Sequence, residues 1–187
     1  MQNSQKFKGQ TNALARHLKR LGVEIVFVDA PYIIPDTTNQ NPVRSWIEGN
    51  SIAESYEVIE RAKLDNPDAV GLFGFSMGSM FALHLASHAA AFEDSPFTWI
   101  KIVFAAAAPF PSDPTAVLEP FESVSKIPVM FVIGETDAIA PPERQEMYLP
   151  YFPNNTVYRH PGGHYIPSQR ALIEPILNFF REHEGIE

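Results

Sequence analysis

The sequence has 187 residues, of which 45% are hydrophobic, and it carries a formal net charge of −8. This length and apolar share predict one globular domain over residues 1–187 and exclude a disordered chain. The acidic balance argues against nucleic-acid binding, and the lack of cysteine excludes disulfides, thiolate metal sites and a cysteine nucleophile.

The first third of the chain predicts a helix, a strand and a long loop. Apolar residues recur at helical spacing at Phe7, Leu14, Leu18 and Leu21. Gly22 follows as a natural end of this helix. Residues 23–28, VEIVFV, are typical of a buried strand. Residues 31–50 contain three prolines and no periodicity, which predicts a long loop, and loops of this length in compact domains are usually functional or mobile.

Helices and strands alternate in the rest of the chain. Ser51 and Glu54 form a capping box that predicts a helix over residues 51–66. Further helices are predicted at residues 77–91, at residues 141–148 and after Ser168, where Pro175 must lie near the first turns or kink the helix. Strands are predicted at residues 69–73, 99–107, 129–133 and 156–158, and residues 109–120 predict a second proline-rich loop.

Continuous apolar strands that alternate with helices are typical of α/β proteins with a mostly parallel sheet and helices on both faces. In such sheets the functional site lies at the carboxyl ends of the strands. Each loop that follows a strand is therefore a candidate for site residues.

Ser76 lies in the sequence Gly74-Phe75-Ser76-Met77-Gly78, directly after a predicted strand and before a predicted helix. This is the context of a nucleophile elbow, in which a sharp turn exposes the serine hydroxyl and brings positions 74 and 78 close together. Side chains at these two positions would clash, which predicts that both glycines are required. The N–H of Met77, at the helix N-terminus, is then placed to stabilise an oxyanion. The alternative for the motif by itself is an ordinary helix N-cap.

A serine nucleophile requires a base and a carboxylate that orients the base. Asp137 lies just beyond one predicted strand, with Glu135 as the competing acid. His164 follows two glycines beyond the next strand, and His160, which precedes a proline, is the competing base. Three residue types in this order, each beyond a strand, predict a catalytic triad of Ser76, Asp137 and His164.

The segments GFSMG, GETDAIAPPER and HPGGHYIP together resemble the FSH-type serine hydrolases, a branch of the α/β-hydrolase superfamily. VDAP and the tryptophan of RSW fit the same layout, and the similarity runs from about residue 1 to about residue 180. The resemblance implies an α/β-hydrolase fold with Ser76 as nucleophile, Asp137 as acid and His164 as base. It implies hydrolysis of esters or thioesters without a cofactor, and no histidine–carboxylate cluster has the spacing of a metal site.

The N-terminus departs from that family. Its members begin with an apolar strand that ends in His-Gly-aromatic, followed by a stretch like residues 1–4 of this chain. The resemblance implies that this strand lies inside the sheet, beside the strand that carries Ser76, and that its loop supplies a second oxyanion N–H. We therefore expect an N-terminally truncated fold with a weakened sheet and poor activity.

Apolar residues near the expected site predict a pocket for a lipophilic acyl group: Tyr32, Ile33, Ile34, Trp46, Phe75, Met77, Met80, Phe110 and Phe121. We expect many of these to be core residues and assign substrate contact to Trp46 and Phe75. The main hypothesis is a carboxylesterase or acyl-thioesterase that acts on a small molecule through an acyl-enzyme. The alternative is a non-catalytic or weakly active binding or regulatory module.

The compartment is predicted only by default. The N-terminus lacks an apolar signal core, and the longest apolar stretch, residues 102–110, is too short to span a bilayer. We therefore expect a cytoplasmic or nuclear protein without integral membrane contact.

Overall fold

The computed structural model describes residues 3–20, 22–35, 42–49, 51–111, 123–167 and 170–183. The helices are α1 (Ser4–Lys19), α2 (Ala53–Asp65), α3 (Met77–Ala91), α4 (Pro142–Gln145), followed by a 3₁₀ helix (Glu146–Tyr151), and α5 (Arg170–Glu182). The strands are β1 (Tyr32–Ile34), β2 (Val43–Ser45), β3 (Gly71–Phe75), β4 (Ile102–Ala106), β5 (Val129–Gly134) and β6 (Asn155–His160). In the described part of the chain, no helix has the length and apolarity needed to cross a bilayer.

A parallel sheet of four strands in the order β3-β4-β5-β6 forms the centre of the fold. Strands β4 and β5 are buried along their whole length, which explains why their sequences are continuous apolar runs. The carboxyl ends of all four strands meet at one edge, where the following loops come together. The predicted parallel α/β sheet is thereby confirmed.

Helices cover both faces of this sheet. Because successive side chains of a strand point to opposite faces, β4 contributes to two separate cores. Val103 packs in the first core with Leu85 of α3, and Phe104 packs in the second core with Leu18 of α1 and Phe179 of α5. The sheet is therefore the middle layer of three, as the alternating pattern predicts.

The strand predicted at residues 23–28 is not formed. In the described chain these residues pair with no strand, and β3 is the end strand of its sheet. A cavity of about 430 Å³ is lined by residues 22–28 on one side and by residues 70–78 on the other. A strand is stable only where its N–H and C=O groups pair with a neighbour, and an apolar, β-branched sequence does not by itself supply that neighbour.

The segment predicted as a loop at residues 31–50 contains an antiparallel ribbon of β1 and β2. Residues 36–41 and 50 lie outside the described chain. The Tyr32 hydroxyl donates a hydrogen bond to the Glu54 carboxylate, and the Arg44 guanidinium donates one to the Ala30 carbonyl at 2.9 Å. The first contact fixes the ribbon against α2, and the second ties β2 to the segment before β1. Trp46 follows β2 directly and is positioned by this ribbon.

Two predicted helix boundaries are wrong. The N-cap of α2 is Ile52, because the Ser51 N–H donates to the Glu48 carbonyl and the Ser51 hydroxyl pairs with the Glu54 side chain at 3.3 Å. The helix predicted at residues 141–148 is α-helical only over Pro142–Gln145 and continues as a 3₁₀ helix over Glu146–Tyr151, which contains Pro150. Ser168 and residues 112–122 lie outside the described chain, so the predicted last cap and most of the second loop fall there.

Candidate active site

Ser76 stands on a sharp turn between β3 and α3. Its φ of 54° and ψ of −125° lie in a region that L residues rarely adopt. Gly74 makes the turn possible, because a Cβ there would lie 2.4 Å from the Gly78 carbonyl oxygen and 2.5 Å from Ser79 Cα. The Ser76 N–H donates to the Ala106 carbonyl at 2.9 Å, so the neighbouring strand holds the strained residue in place.

Gly78 is not required for the same reason. A Cβ on Gly78 would meet Trp46 Nε1 at 3.6 Å, which is ordinary van der Waals contact. The missing side chain of Gly74 faces the backbone of α3, whereas that of Gly78 faces the indole ring. The prediction that both glycines prevent a clash therefore holds for Gly74 alone.

His164 bridges Ser76 and Asp137 by hydrogen bonds. Its Nε2 lies 3.0 Å from Ser76 Oγ, and its Nδ1 lies 2.8 Å from Asp137 Oδ2. When Nδ1 carries the proton, it donates to the carboxylate, and Nε2 accepts from the serine hydroxyl. The three residues follow β3, β5 and β6, and the shared edge of the parallel sheet brings them together across up to 88 positions of sequence.

Asp137 is fixed by its own loop. Its side chain is 0% exposed, and its Oδ1 accepts hydrogen bonds from the N–H groups of Ile139 at 2.9 Å and Ala140 at 2.8 Å. A buried carboxylate is tolerated only where its oxygens are hydrogen-bonded. Oδ1 is therefore occupied by the backbone, and Oδ2 orients the imidazole of His164.

The competing acid and base occupy other positions. Glu135 is exposed, and its N–H donates to the His160 carbonyl at 2.8 Å. His160 is 4% exposed, and its Nδ1 accepts a hydrogen bond from the Gly162 N–H at 3.2 Å. Burial lowers the pKa of His160, against the opposing effect of the Asp137 and Glu135 charges. The histidine that accepts the hydrogen bond of the Ser76 hydroxyl is His164.

Met77 and two aromatic residues surround this group. Met77 is the first residue of α3, so its N–H has no intrahelical acceptor and lies at the positive end of the helix dipole. The Phe75 ring packs against the His164 ring, with centroids 5.0 Å apart. The Trp46 ring stacks on Phe81 at 4.9 Å and also borders the cavity that reaches Ser76.

Several other apolar candidates are structural. Tyr32 is buried at the ribbon, Met80 packs against the first core, and Phe110 packs against Tyr148 with ring centroids 4.8 Å apart. Ile33 is exposed, and Phe121 lies outside the described residues. Within the described ranges, no cluster of three histidine, aspartate or glutamate side chains is placed to hold a metal ion.

Sequence reasoning missed Ser79 and Ala107. The buried Ser79 hydroxyl donates to the Ala106 carbonyl at 2.7 Å, so this one carbonyl accepts from both Ser76 and Ser79. Ala107 has a φ of 50°, a second strained residue at the carboxyl end of β4. The sequence signal for Ser79 is its position in the first turn of α3, three residues after Ser76.

The described architecture is that of an α/β-hydrolase. It is similar to the crystal structure of esterase PE8, with a TM-score of 0.66 and 18% identity over 97% of this chain and 87% of that chain. It is also similar to the Pyrococcus furiosus esterase PF2001, with a TM-score of 0.67 and 15% identity over 98% of this chain and 78% of that chain. At these identities the likeness shows the fold.

The chain belongs to the serine hydrolase (FSH1) family, whose sequence model matches residues 1–176. It is 30% identical to Esterase AGAP003155 of Anopheles gambiae, over 97% of this chain and 74% of that protein. It is 25% identical to Esterase OVCA2 of Danio rerio, over 98% of this chain and 93% of that protein. The family resemblance of the three sequence segments is thereby confirmed, and with it the class of hydrolases.

Proposed function

We propose that the protein hydrolyses carboxylic esters or thioesters through Ser76 as nucleophile, His164 as general base and Asp137 as the orienting acid. The observation that carries this proposal is the hydrogen-bonded series from Ser76 Oγ through the His164 imidazole to Asp137, at 3.0 Å and 2.8 Å, which begins at a strained, strand-to-helix serine. A serine hydroxyl is a weak nucleophile unless a positioned base removes its proton.

The reaction follows from this geometry in two halves. His164 Nε2 takes the hydroxyl proton as Ser76 Oγ bonds to the acyl carbon, and the Met77 N–H stabilises the resulting oxyanion. The tetrahedral intermediate then breaks its bond to the alcohol or thiol, which leaves with the proton from His164. Water attacks the acyl-enzyme with the same base, and the carboxylic acid is released while Ser76 regains its proton.

The surroundings of Ser76 support a lipophilic acyl group. The cavity that reaches Ser76 is lined by Trp46, Phe75 and Met77, whose side chains are apolar over most of their surface. Apolar walls with few polar groups bind an acyl chain better than a charged substrate. A small-molecule substrate in the cytoplasm, as the sequence predicts, is part of this proposal.

A fluorophosphonate probe, which forms a covalent bond with an activated serine, tests the nucleophile. We expect the wild-type protein to be labelled and Ser76→Ala to be unlabelled. Ser95→Ala is the matched control, because the Ser95 hydroxyl also pairs with a histidine, His88 Nδ1, at 2.8 Å, yet it is buried. Folded wild-type protein that resists labelling, or labelling that survives in Ser76→Ala, would refute the proposal.

The substrate preference requires a second assay. Oxygen esters and thioesters with the same acyl chain, over a series of chain lengths, separate esterase from thioesterase activity. If the apolar cavity binds the acyl chain, kcat/KM rises with chain length until the cavity is filled, and the burial of each added CH₂ contributes about 0.8 kcal/mol. A profile that is flat or falls from the shortest chain onward contradicts the assignment of the cavity to the acyl group.

A further inference from the structure

His160 is the one histidine of the HPGGH segment to which the proposed reaction gives no role. It is the last residue of β6, it is buried, and it lies four positions before His164. We propose that His160 is a positioning residue that holds the turn at residues 161–163 and thereby directs the His164 imidazole toward Ser76. This inference rests on the proposed function of the site.

The contacts of His160 connect the two loops that carry His164 and Asp137. Its side-chain Nδ1 accepts a hydrogen bond from the Gly162 N–H at 3.2 Å, within the turn that leads to His164. Its backbone carbonyl accepts from the Glu135 N–H at 2.8 Å, within the loop that leads to Asp137. The same residue therefore constrains both partners of the Nδ1–carboxylate hydrogen bond.

The turn at residues 161–163 packs closely against the loop that leads to Asp137. The Thr136 N–H donates to the Gly162 carbonyl at 3.1 Å, and a Cβ on Gly134 would lie 2.6 Å from that carbonyl oxygen and 2.5 Å from the Gly163 carbonyl oxygen. The Tyr165 N–H donates to the Gly163 carbonyl at 2.9 Å. Because His164 lies between Gly163 and Tyr165, a shift of either glycine carries the imidazole with it.

The hydrogen bond requires His160 to be neutral, since a protonated Nδ1 cannot accept. Burial lowers the pKa of His160 and so favours the neutral form. The charged groups that face it are Asp137 and Glu135 from the opposite loop, and both act in the other direction. On its own side of the site, the Tyr165 ring packs against the His160 ring with centroids 5.0 Å apart.

Two substitutions separate the hydrogen bond from the bulk of the ring. His160→Leu keeps an apolar side chain of similar size but removes the acceptor, whereas His160→Asn keeps an acceptor near the position of Nδ1. We expect His160→Leu to lower kcat on a short-chain ester by roughly 10- to 100-fold with KM unchanged, because a misplacement near 1 Å costs about that factor. His160→Asn should recover most of that loss.

A control variant and an NMR measurement distinguish a specific effect on His164 from a general loss of activity. His88→Leu removes a half-buried histidine that lies about 18 Å along α3 from Ser76, and it should leave kcat unchanged. The downfield proton NMR signal of the His164 Nδ1–H reports its hydrogen bond to Asp137 without any turnover. We expect that signal in wild-type protein and in His160→Asn, and a shifted or lost signal in His160→Leu.

The inference is overturned if folded His160→Leu matches wild-type kcat and keeps the NMR signal, or if the Asn and Leu variants lose activity equally. If His160→Leu does not fold by circular dichroism, His160→Gln replaces it, because its amide reaches past the Nδ1 position and it should show the loss expected of Leu. Wild-type protein that hydrolyses neither esters nor thioesters and resists the fluorophosphonate probe refutes the proposed function, and the NMR comparison still decides whether His160 directs His164.

Discussion

Replacing Gly74 with alanine tests whether the close approach of β3 to α3 makes the Ser76 turn. The added Cβ would lie 2.4 Å from the Gly78 carbonyl oxygen and 2.5 Å from Ser79 Cα, and neither backbone atom can rotate away. Ordinary contact begins at 3.4 Å, so the strand and the helix must separate by about 1 Å. Ser76 lies on the segment that must move.

The size of the effect follows from that displacement. A shift of about 1 Å in a reacting group costs roughly 100-fold in rate, or about 2.7 kcal/mol of transition-state stabilisation. Forcing a methyl group into a packed site lowers the free energy of unfolding by about 1–3 kcal/mol. For a domain of this size the melting temperature should then fall by roughly 2–12 °C.

Gly78→Ala is the matched control. Its Cβ makes only ordinary contact with Trp46, and alanine is a better helix former than glycine by up to about 1 kcal/mol. We expect this variant to be at least as stable as wild type and to keep its fluorophosphonate labelling rate. Gly74→Ala protein that labels as fast as wild type, or an equal loss in Gly78→Ala, would refute the reasoning.

Three further changes have definite expected results. Ser79→Ala removes the hydrogen bond to Ala106 and should lower the free energy of unfolding by about 1 kcal/mol in a urea titration, and an unchanged midpoint contradicts this. Burial lowers the pKa values of His88 and His160 below 6.5, so the unfolded chain binds these protons more readily. The contribution of these two histidines to the free energy of unfolding should therefore be complete above about pH 6.5 and should decrease below it. Equal urea midpoints at about pH 7 and about pH 5.5 are inconsistent with these pKa shifts. An apolar strand joined ahead of Met1 should raise both the melting temperature and turnover by pairing with β3, and no gain in either refutes the expected role of that strand.

Strands β3, β4 and β5 could be predicted because each is an apolar run between turn residues, and α3 because alanine-rich sequence follows Ser76. Strand β6 is mostly polar, and only its residues 156–158 were predicted. The strand predicted at residues 23–28 has an equally good apolar pattern but is not formed. In the described chain a cavity lies between this segment and β3, so its backbone groups have no neighbouring strand to pair with. The β1–β2 ribbon could not be predicted, because strands of three residues carry too little periodicity.

The sequence alone predicted that Ser76, Asp137 and His164 lie close together, because each follows a predicted strand and the carboxyl ends of parallel strands meet at one edge of the sheet. The sequence favoured His164 over His160, but only the tertiary structure gave the hydrogen-bond distance to Ser76 and decided which glycine is indispensable. Those outcomes depend on distances between segments far apart in the chain, such as the 3.0 Å from His164 to Ser76. A local sequence pattern predicts a helix or strand and where it ends. The distance between side chains at the ends of two strands depends on how the intervening chain packs.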